Sequence, residues 1–250
     1  MESLAVIANA KQKIREKVWS ALDKAGLAPG CHGRIPDLQG TNEAARQLAG
    51  LQVWAGARVI MVSPDDSAAP VRWEALRAGK LVYMAVPRIE QQKPFVLLDP
   101  AKLPGLSEAD AETDRALEWG KPVSLKEMRR INLVVGGSVA VNREGARIGK
   151  EMGYFDTELA MLVETNLVPT HTPVATTVHS KQVIEGRLPE APHDGRISIF
   201  ATEKGVYIIP SSHRRPLPGI VLGMLDKREN DIPALREMLR EVKQSVMQST

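Results

Sequence analysis

The densest concentration of chemistry in the sequence runs from Gly145 to Asp156, Gly-Ala-Arg-Ile-Gly-Lys-Glu-Met-Gly-Tyr-Phe-Asp. It falls between a predicted strand and a predicted helix. A helix N-terminus presents unpaired backbone N–H groups and the positive end of the helix dipole. Gly149 and Gly153 let the backbone close on a ligand, and Arg147 and Lys150 would neutralise it. Those residue types in that order describe an anion site, with phosphate the natural occupant. Two phosphate-binding motifs are absent. A P-loop needs four residues between its glycine and Gly-Lys, then Ser or Thr, whereas three separate Gly145 from Gly149 and Glu151 follows Lys150. The dinucleotide fingerprint G-x-G-x-x-G is also missing. On spacing alone, a phosphate loop and a basic surface turn leading into a helix both remain open.

Other reactive residues carry weaker patterns. His171 and His179 are eight apart, which is no metal spacing, and read as packed or surface histidines. His193 reads as a loop-bonding residue. Gly137-Ser138 lacks the G-x-S-x-G of a nucleophile elbow. Cys31 beside His32 sits in a Pro/Gly-marked loop, where neighbours seldom form a thiol–imidazole pair. Lys204 and His213-Arg214-Arg215 have no interleaved aromatics, so they read as a solvated basic turn, not an RNA site. Trp19, Trp54, Trp73 and Trp119 are expected to fill the core, with Trp73 the one placed to meet a ligand.

The elements that must position these residues follow from periodicity. Residues 3–25 read as a helix with Ile7, Ile14, Val18, Ala21, Leu22 and Ala25 mostly on one face, stopped by Gly26. Thr41 or Asn42 would cap a second helix to about Leu51. Strands are expected at 58–62, 81–86, 131–135, 174–178, 197–200 and 206–209, with Gly136-Gly137 interrupting one that resumes at 139–141. Helices are expected at 67–78 and 153–164. Residues 99–122, with three prolines, read as an excursion carrying one helix at 108–118. The alternation of strand and helix signals a parallel or mixed sheet covered by helices. The chain is expected to form one α/β domain over 1–209. An extension, 210–250, would pack one amphipathic helix (231–246; Ile232, Leu235, Leu239 and Val242 on one face) on that domain.

Composition narrows the function classes. The 250 residues carry 33 Lys and Arg against 30 Asp and Glu, a net charge of +3, too small an excess to imply nucleic acid. Aromatics are 4%, against base stacking. One cysteine rules out an internal disulfide and Cys-rich zinc sites. No apolar run approaches the roughly 20 residues of a membrane span, and the N-terminal pattern is not that of a secretion signal. A cytoplasmic protein, monomer or homodimer, acting on a small molecule is the expectation.

The residues around the loop resemble the signature of the 5-formyltetrahydrofolate cyclo-ligase family. The resemblance runs through Gly136-Gly137-Ser138, Gly145, Arg147-Ile148-Gly149 and Gly153-Tyr154-Phe155-Asp156. Lys11 and Arg15 around Ile14 are similar to the family's K-x-x-L-R. Gly79-Lys80, Pro87, and the run Gln182, Pro189, His193-Asp194 follow in family order, so that residues 8–209 are covered. Lys11 to Arg15, Arg34-Ile35-Pro36 and Gly137 to Val141 are most similar to the methenyltetrahydrofolate synthetase domain-containing branch. The resemblance implies a three-layer α/β/α fold with a mostly parallel sheet, like the sugar-phosphate isomerases and CoA transferases. It implies an enzyme that uses ATP and Mg²⁺ to convert 5-formyltetrahydrofolate to 5,10-methenyltetrahydrofolate. Lys11, Arg15, Arg147, Gly149, Lys150, Gly153 and Tyr154 would then bind the nucleotide, Arg147 and Lys150 would act on the transferring phosphate, and Asp156 would hold the metal. The family's folate-binding acid has no counterpart in Ala69-Pro70-Val71-Arg72-Trp73, and Glu74 is out of register. Two alternatives follow, a nucleotide-binding paralogue with another substrate and a non-catalytic binding module. Glu151 stands where the family has its middle loop glycine.

Overall fold

The computed structural model describes residues 3–38, 40–150, 153–221 and 231–248, the last seven by backbone alone. Its centre is an eight-stranded sheet of β1 (Val59–Val62), β2 (Leu81–Ala85), β3 (Phe95–Leu98), β4 (Lys121–Val123), β5 (Leu133–Val135), β8 (Val174–Thr177), β9 (Ile199–Thr202) and β10 (Gly205–Ile208). The strand order is β10-β9-β8-β5-β1-β2-β3-β4. The five inner strands from β9 to β2 run parallel, and β10, β3 and β4 add antiparallel edges. Strands buried on both faces need continuous apolar runs, and β1, Val-Ile-Met-Val, is buried at every position.

Alternate side chains feed two cores. Val59 and Met61 join Tyr83, Val134 and Phe200 against helix α6 (Tyr154–Glu164) and helix α7 (Pro233–Gln248). Ile60 and Val62 join Val82, Leu133 and Ala201 against α2 (Thr41–Ala49), α3 (Gln52–Gly56), α4 (Ala69–Arg77) and α5 (Thr113–Trp119). The result is the three-layer α/β/α arrangement with a mostly parallel sheet. Ile232, Leu235 and Leu239 of α7 are buried in the first core, while the side chain of Val242 lies outside the described residues.

Helix α1 (Leu4–Lys24) packs elsewhere. Val18, Trp19 and Leu22 meet Val139, Ala140, Ala146 and Ile148 of a small hairpin, β6 (Ala140–Val141) with β7 (Arg147–Ile148). This corrects two expectations. Residues 139–141 do not resume β5 but leave the sheet at Gly136-Gly137, and the loop before α6 is partly a strand. On α1, Ala21 and Ala25 are exposed, and Trp19 takes the buried place. Three further differences are local. The N-cap of α2 is Gly40 at φ 95°, with no side-chain cap, while Thr41 Oγ1 bonds back to the Leu38 carbonyl. The 108–118 helix divides into a 3₁₀ turn, Glu108–Ala111, and α5. Strands β3 and β4 flank that excursion, and neither is signalled by alternation, since β3 is apolar throughout and β4, at the sheet edge, carries Pro122.

Candidate functional site

The chain order reverses between β1 and β5: β1 leads through α4 to β2 on one side, and β5 leads on to β8 and β9 on the other. In open α/β sheets the crevice beyond the strand ends at such a point is where ligands bind. Here Ser63 to Asp66 leave the end of β1 and Gly136-Gly137 leave the end of β5, and a cleft of about 1410 Å³ opens between them. It is walled by α1, the 145–153 loop, the start of α6, and the turn at 191–194. Lys11, Arg15, Arg147, Gly149, Lys150, Gly153, Tyr154 and Asp156, more than 140 positions apart at their extremes, all line it.

Each cation is held. The Arg147 side chain is almost fully buried and donates from Nη1 to the Gly137 carbonyl (2.7 Å) and from Nη2 to Asp156 Oδ2 (2.9 Å). Its guanidinium stacks 4.3 Å from the Phe155 ring centroid, and its buried Nε has no partner. Asp156 also accepts from the Gly195 amide (3.1 Å). Lys11 Nζ pairs with Asp194 Oδ2 at 2.5 Å, and Arg15 Nε donates to the Gly149 carbonyl at 2.8 Å. Lys150 Nζ pairs with Asp65 Oδ1 at 2.5 Å, and its side chain stays 47% exposed.

Glycines permit these approaches. A Cβ on Gly136 would stand 2.4 Å from the Phe155 ring, and one on Gly137 would stand 2.6 Å from Asp65 Oδ2. The hairpin turn puts Gly145 at φ 90°, tight against the Ile197 carbonyl, a conformation L side chains avoid. Gln182, fully buried, donates to the Ser138 and Val139 carbonyls (2.9 and 3.1 Å), fixing the segment between β5 and β6.

Sequence reasoning passed over three acids. Asp65 and Asp66 follow β1, and their signal was position alone, the end of a strand beside the switch point. Arg72, with no exposure, sets that turn: it donates to the Ser63 (2.7 Å), Asp65 (3.1 Å) and Ala111 (2.7 Å) carbonyls and to Thr113 Oγ1 (3.0 Å). Burial pulls its pKa down to about 10, so it is still a cation at neutral pH. The third acid is Glu158, one turn into α6 and 4% exposed, with Oε2 unpaired among the described residues. Burial first, then the Asp65 carboxylate, pushes its pKa up to about 8. Its sequence signal was an acid inside the apolar run of α6.

The weaker candidates take the following places. Trp73 is half-buried against the α2–α4 core and does not reach the cleft, and Glu74 pairs with Arg77 on the same helix. The Cys31 thiol faces the Trp19 carbonyl (3.8 Å), while His32 faces Glu16 and the Trp19 ring. His179 Nδ1 accepts from the Lys181 amide in a capping turn, and His171 is exposed. His193 lines the cleft with its Nδ1 buried and unpaired. Glu151 lies outside the described residues.

These residues fit a polyphosphate. The buried Arg147 Nε has no partner among the described residues, and the ammonium of Lys150 has one acceptor, Asp65, so both keep donor capacity that an anion would satisfy. Among the described residues no group of three or more His, Cys, Asp or Glu could hold a metal ion. Mg²⁺ needs none, because it is commonly bound by one or two carboxylates together with phosphate oxygens. Among the described residues no helix is long and apolar enough to cross a membrane.

Comparison with known proteins gives the family. Residues 7–203 match the 5-formyltetrahydrofolate cyclo-ligase family, so the chain belongs to that family. It is 34% identical over 242 residues to the methenyltetrahydrofolate synthase domain-containing protein of Danio rerio, covering 91% of this chain and 61% of that one. Against the Mus musculus protein of the same name it is 33% identical, covering 94% of this chain and 64% of that one. The chain thus spans less than two thirds of the length of these relatives. In fold it is similar to the 5,10-methenyltetrahydrofolate synthetase of Aquifex aeolicus, with a TM-score of 0.53 at 18% identity, covering 85% of this chain and 96% of that one.

Proposed function

We propose that the cleft is the active site of an ATP- and Mg²⁺-dependent 5-formyltetrahydrofolate cyclo-ligase, or a close paralogue of one, forming 5,10-methenyltetrahydrofolate. The observation that carries this is the meeting of Lys11, Arg15, Arg147 and Lys150 with the N-terminus of α6 at the switch-point crevice. ATP and Mg²⁺, when bound, supply the phosphoryl group that makes the formyl oxygen a leaving group, with its charge partly screened. The protein's part is positioning and charge stabilisation. Lys150 and Arg147 stabilise the transferring phosphate, one from an exposed and adjustable position and one from a fixed one. Gly149 and Gly153 bring backbone amides to the phosphates, Lys11 and Arg15 add charge from α1, and Tyr154 packs beside the nucleotide. Asp156 would hold the metal. Residues 1–209 form the catalytic domain, and 210–250 an extension of it.

A second reading, a paralogue that keeps the nucleotide half and acts on another substrate, is favoured by one feature. Segment 69–74, where the family carries its folate acid, lies in α4. Its Arg72 is consumed in holding a turn, and its Glu74 is paired with Arg77. The test is cyclisation itself. Protein is mixed with 5-formyltetrahydrofolate, ATP and Mg²⁺, and methenyltetrahydrofolate is followed by absorbance, with ATP omitted as the control. ATP-dependent product is the expected result. Nucleotide binding without product refutes the cyclo-ligase and leaves the second reading or a binding module. Absence of both sinks the site assignment.

A further inference from the structure

We propose that Asp65 sets the affinity of this cleft for phosphates, because its carboxylate competes with an incoming ligand for the Lys150 ammonium. The inference rests on the reading of Lys150 as a nucleotide contact.

Three cation–carboxylate pairs line the cleft, and they differ in how firmly each is fixed. Lys11–Asp194 is buried on both sides (12% and 9% side-chain exposure), and Asp194 Oδ2 also accepts from the Ala191 amide at 2.6 Å. Arg147–Asp156 is buried as well (2% and 12%), and each partner has a second anchor, the Gly137 carbonyl and the Gly195 amide. Lys150–Asp65 is lopsided: Asp65 is 11% exposed and Lys150 47%. Asp65 is the only hydrogen-bond partner of the Lys150 side chain among the described residues.

The carboxylate is the fixed half of that pair. The Asp65 carbonyl accepts from Arg72 (3.1 Å) and from the Ala68 amide (2.9 Å), and its Oδ2 rests against Gly137 where no Cβ intrudes. Lys150 is the mobile half, a point charge on a flexible stem. A phosphate entering the cleft therefore draws the ammonium away and leaves Asp65 behind without its cation. That stranded carboxylate repels the ligand that displaced it. The apparent affinity is reduced by the fraction of time Lys150 spends on Asp65, and further by the repulsion.

Replacing Asp65 with its neutral isostere removes both effects. By calorimetric titration of the full chain with ATP at fixed Mg²⁺ and salt, Asp65→Asn is expected to bind roughly three- to tenfold more tightly than wild type, the range set by a half-exposed ion pair plus one removed like charge. Asp65→Ser repeats the test if the first variant does not fold. Lys150→Ala is expected to weaken binding, and adding Asp65→Asn to it should restore less than it gains in wild type, since only the like-charge repulsion is left to remove. Unchanged or weaker binding in the Asp65 variants, with Lys150→Ala still impaired, overturns the competition and leaves the nucleotide site standing. ATP affinity unchanged in all of them overturns the nucleotide assignment of Lys150 and the competition with it.

Discussion

Glu158→Gln is the perturbation with the most calculable outcome. The carboxyl is buried in α6 facing Asp65 and Asp156, and burial with those charges raises its pKa from 4.5 to about 8. The protein therefore folds with a neutral acid there, whereas the unfolded chain ionises it near pH 4.5. An acid whose folded pKa is raised stabilises the native state fully below the unfolded value and loses that contribution as pH rises toward the folded one. Each unit of displacement is 1.36 kcal/mol, so native stability should fall by about 3 to 4 kcal/mol between pH 5 and pH 8 from this group alone. Glutamine keeps the shape and does not titrate. Urea unfolding of both proteins at half-unit steps across that window isolates the difference, because every other titrating group is common to both. The variant should match wild type near pH 5 and exceed it increasingly toward pH 8. Parallel curves would refute the neutral buried acid and imply that Glu158 is charged in the fold, paired with Lys150 or Arg147.

Two further outcomes follow from the packing. Arg147→Ala should lower stability by about 3–5 kcal/mol, because it strands the Asp156 carboxylate and the Gly137 carbonyl under the Phe155 ring, and thermal unfolding reads this directly. Gly136→Ala should cost about 1–3 kcal/mol and displace Phe155, since its Cβ would stand 2.4 Å from the ring; urea unfolding measures the loss, and an unchanged midpoint would mean the ring moves freely.

How far the site was legible in the sequence depends on which interaction made each part. The turn at Gly145 and the helix start after Gly153 are local, written in consecutive residues. So were β1, β2 and α4, whose apolar runs and helical period match the two-faced burial they meet. The departure of the chain from the sheet after β5 was not legible. Val139 to Val141 carry the same β-branched pattern whether they extend β5 or form a hairpin, and the choice is made by Gln182, more than 40 positions away, and by Val18 and Trp19 of α1. Edge strand β4 was missed for a related reason. An edge strand pairs along one side only, so it tolerates a proline and needs no alternation.

The charges of the site divide the same way, and the division bears on how it works. Arg147 and Lys150 were singled out because phosphate sites gather Arg, Lys and Gly within one loop, and Lys11 and Arg15 by the family resemblance. Asp156, the partner of Arg147, lies in that same loop, whereas the other two partners come from distant segments: Asp65 lies 85 positions from Lys150, and Asp194 lies 183 from Lys11. A run of basic residues predicts an anion site of open positive potential, whereas the fold delivers one already neutralised pair by pair. Neutralisation of three of the four cations lets them share one crevice with less mutual repulsion, and it makes ligand affinity a difference between two pairings. The two buried pairs are too well anchored to exchange and so shape the cleft. The half-exposed pair is the place where exchange is open, which concentrates control of affinity in Asp65, a residue that local sequence gives no reason to choose.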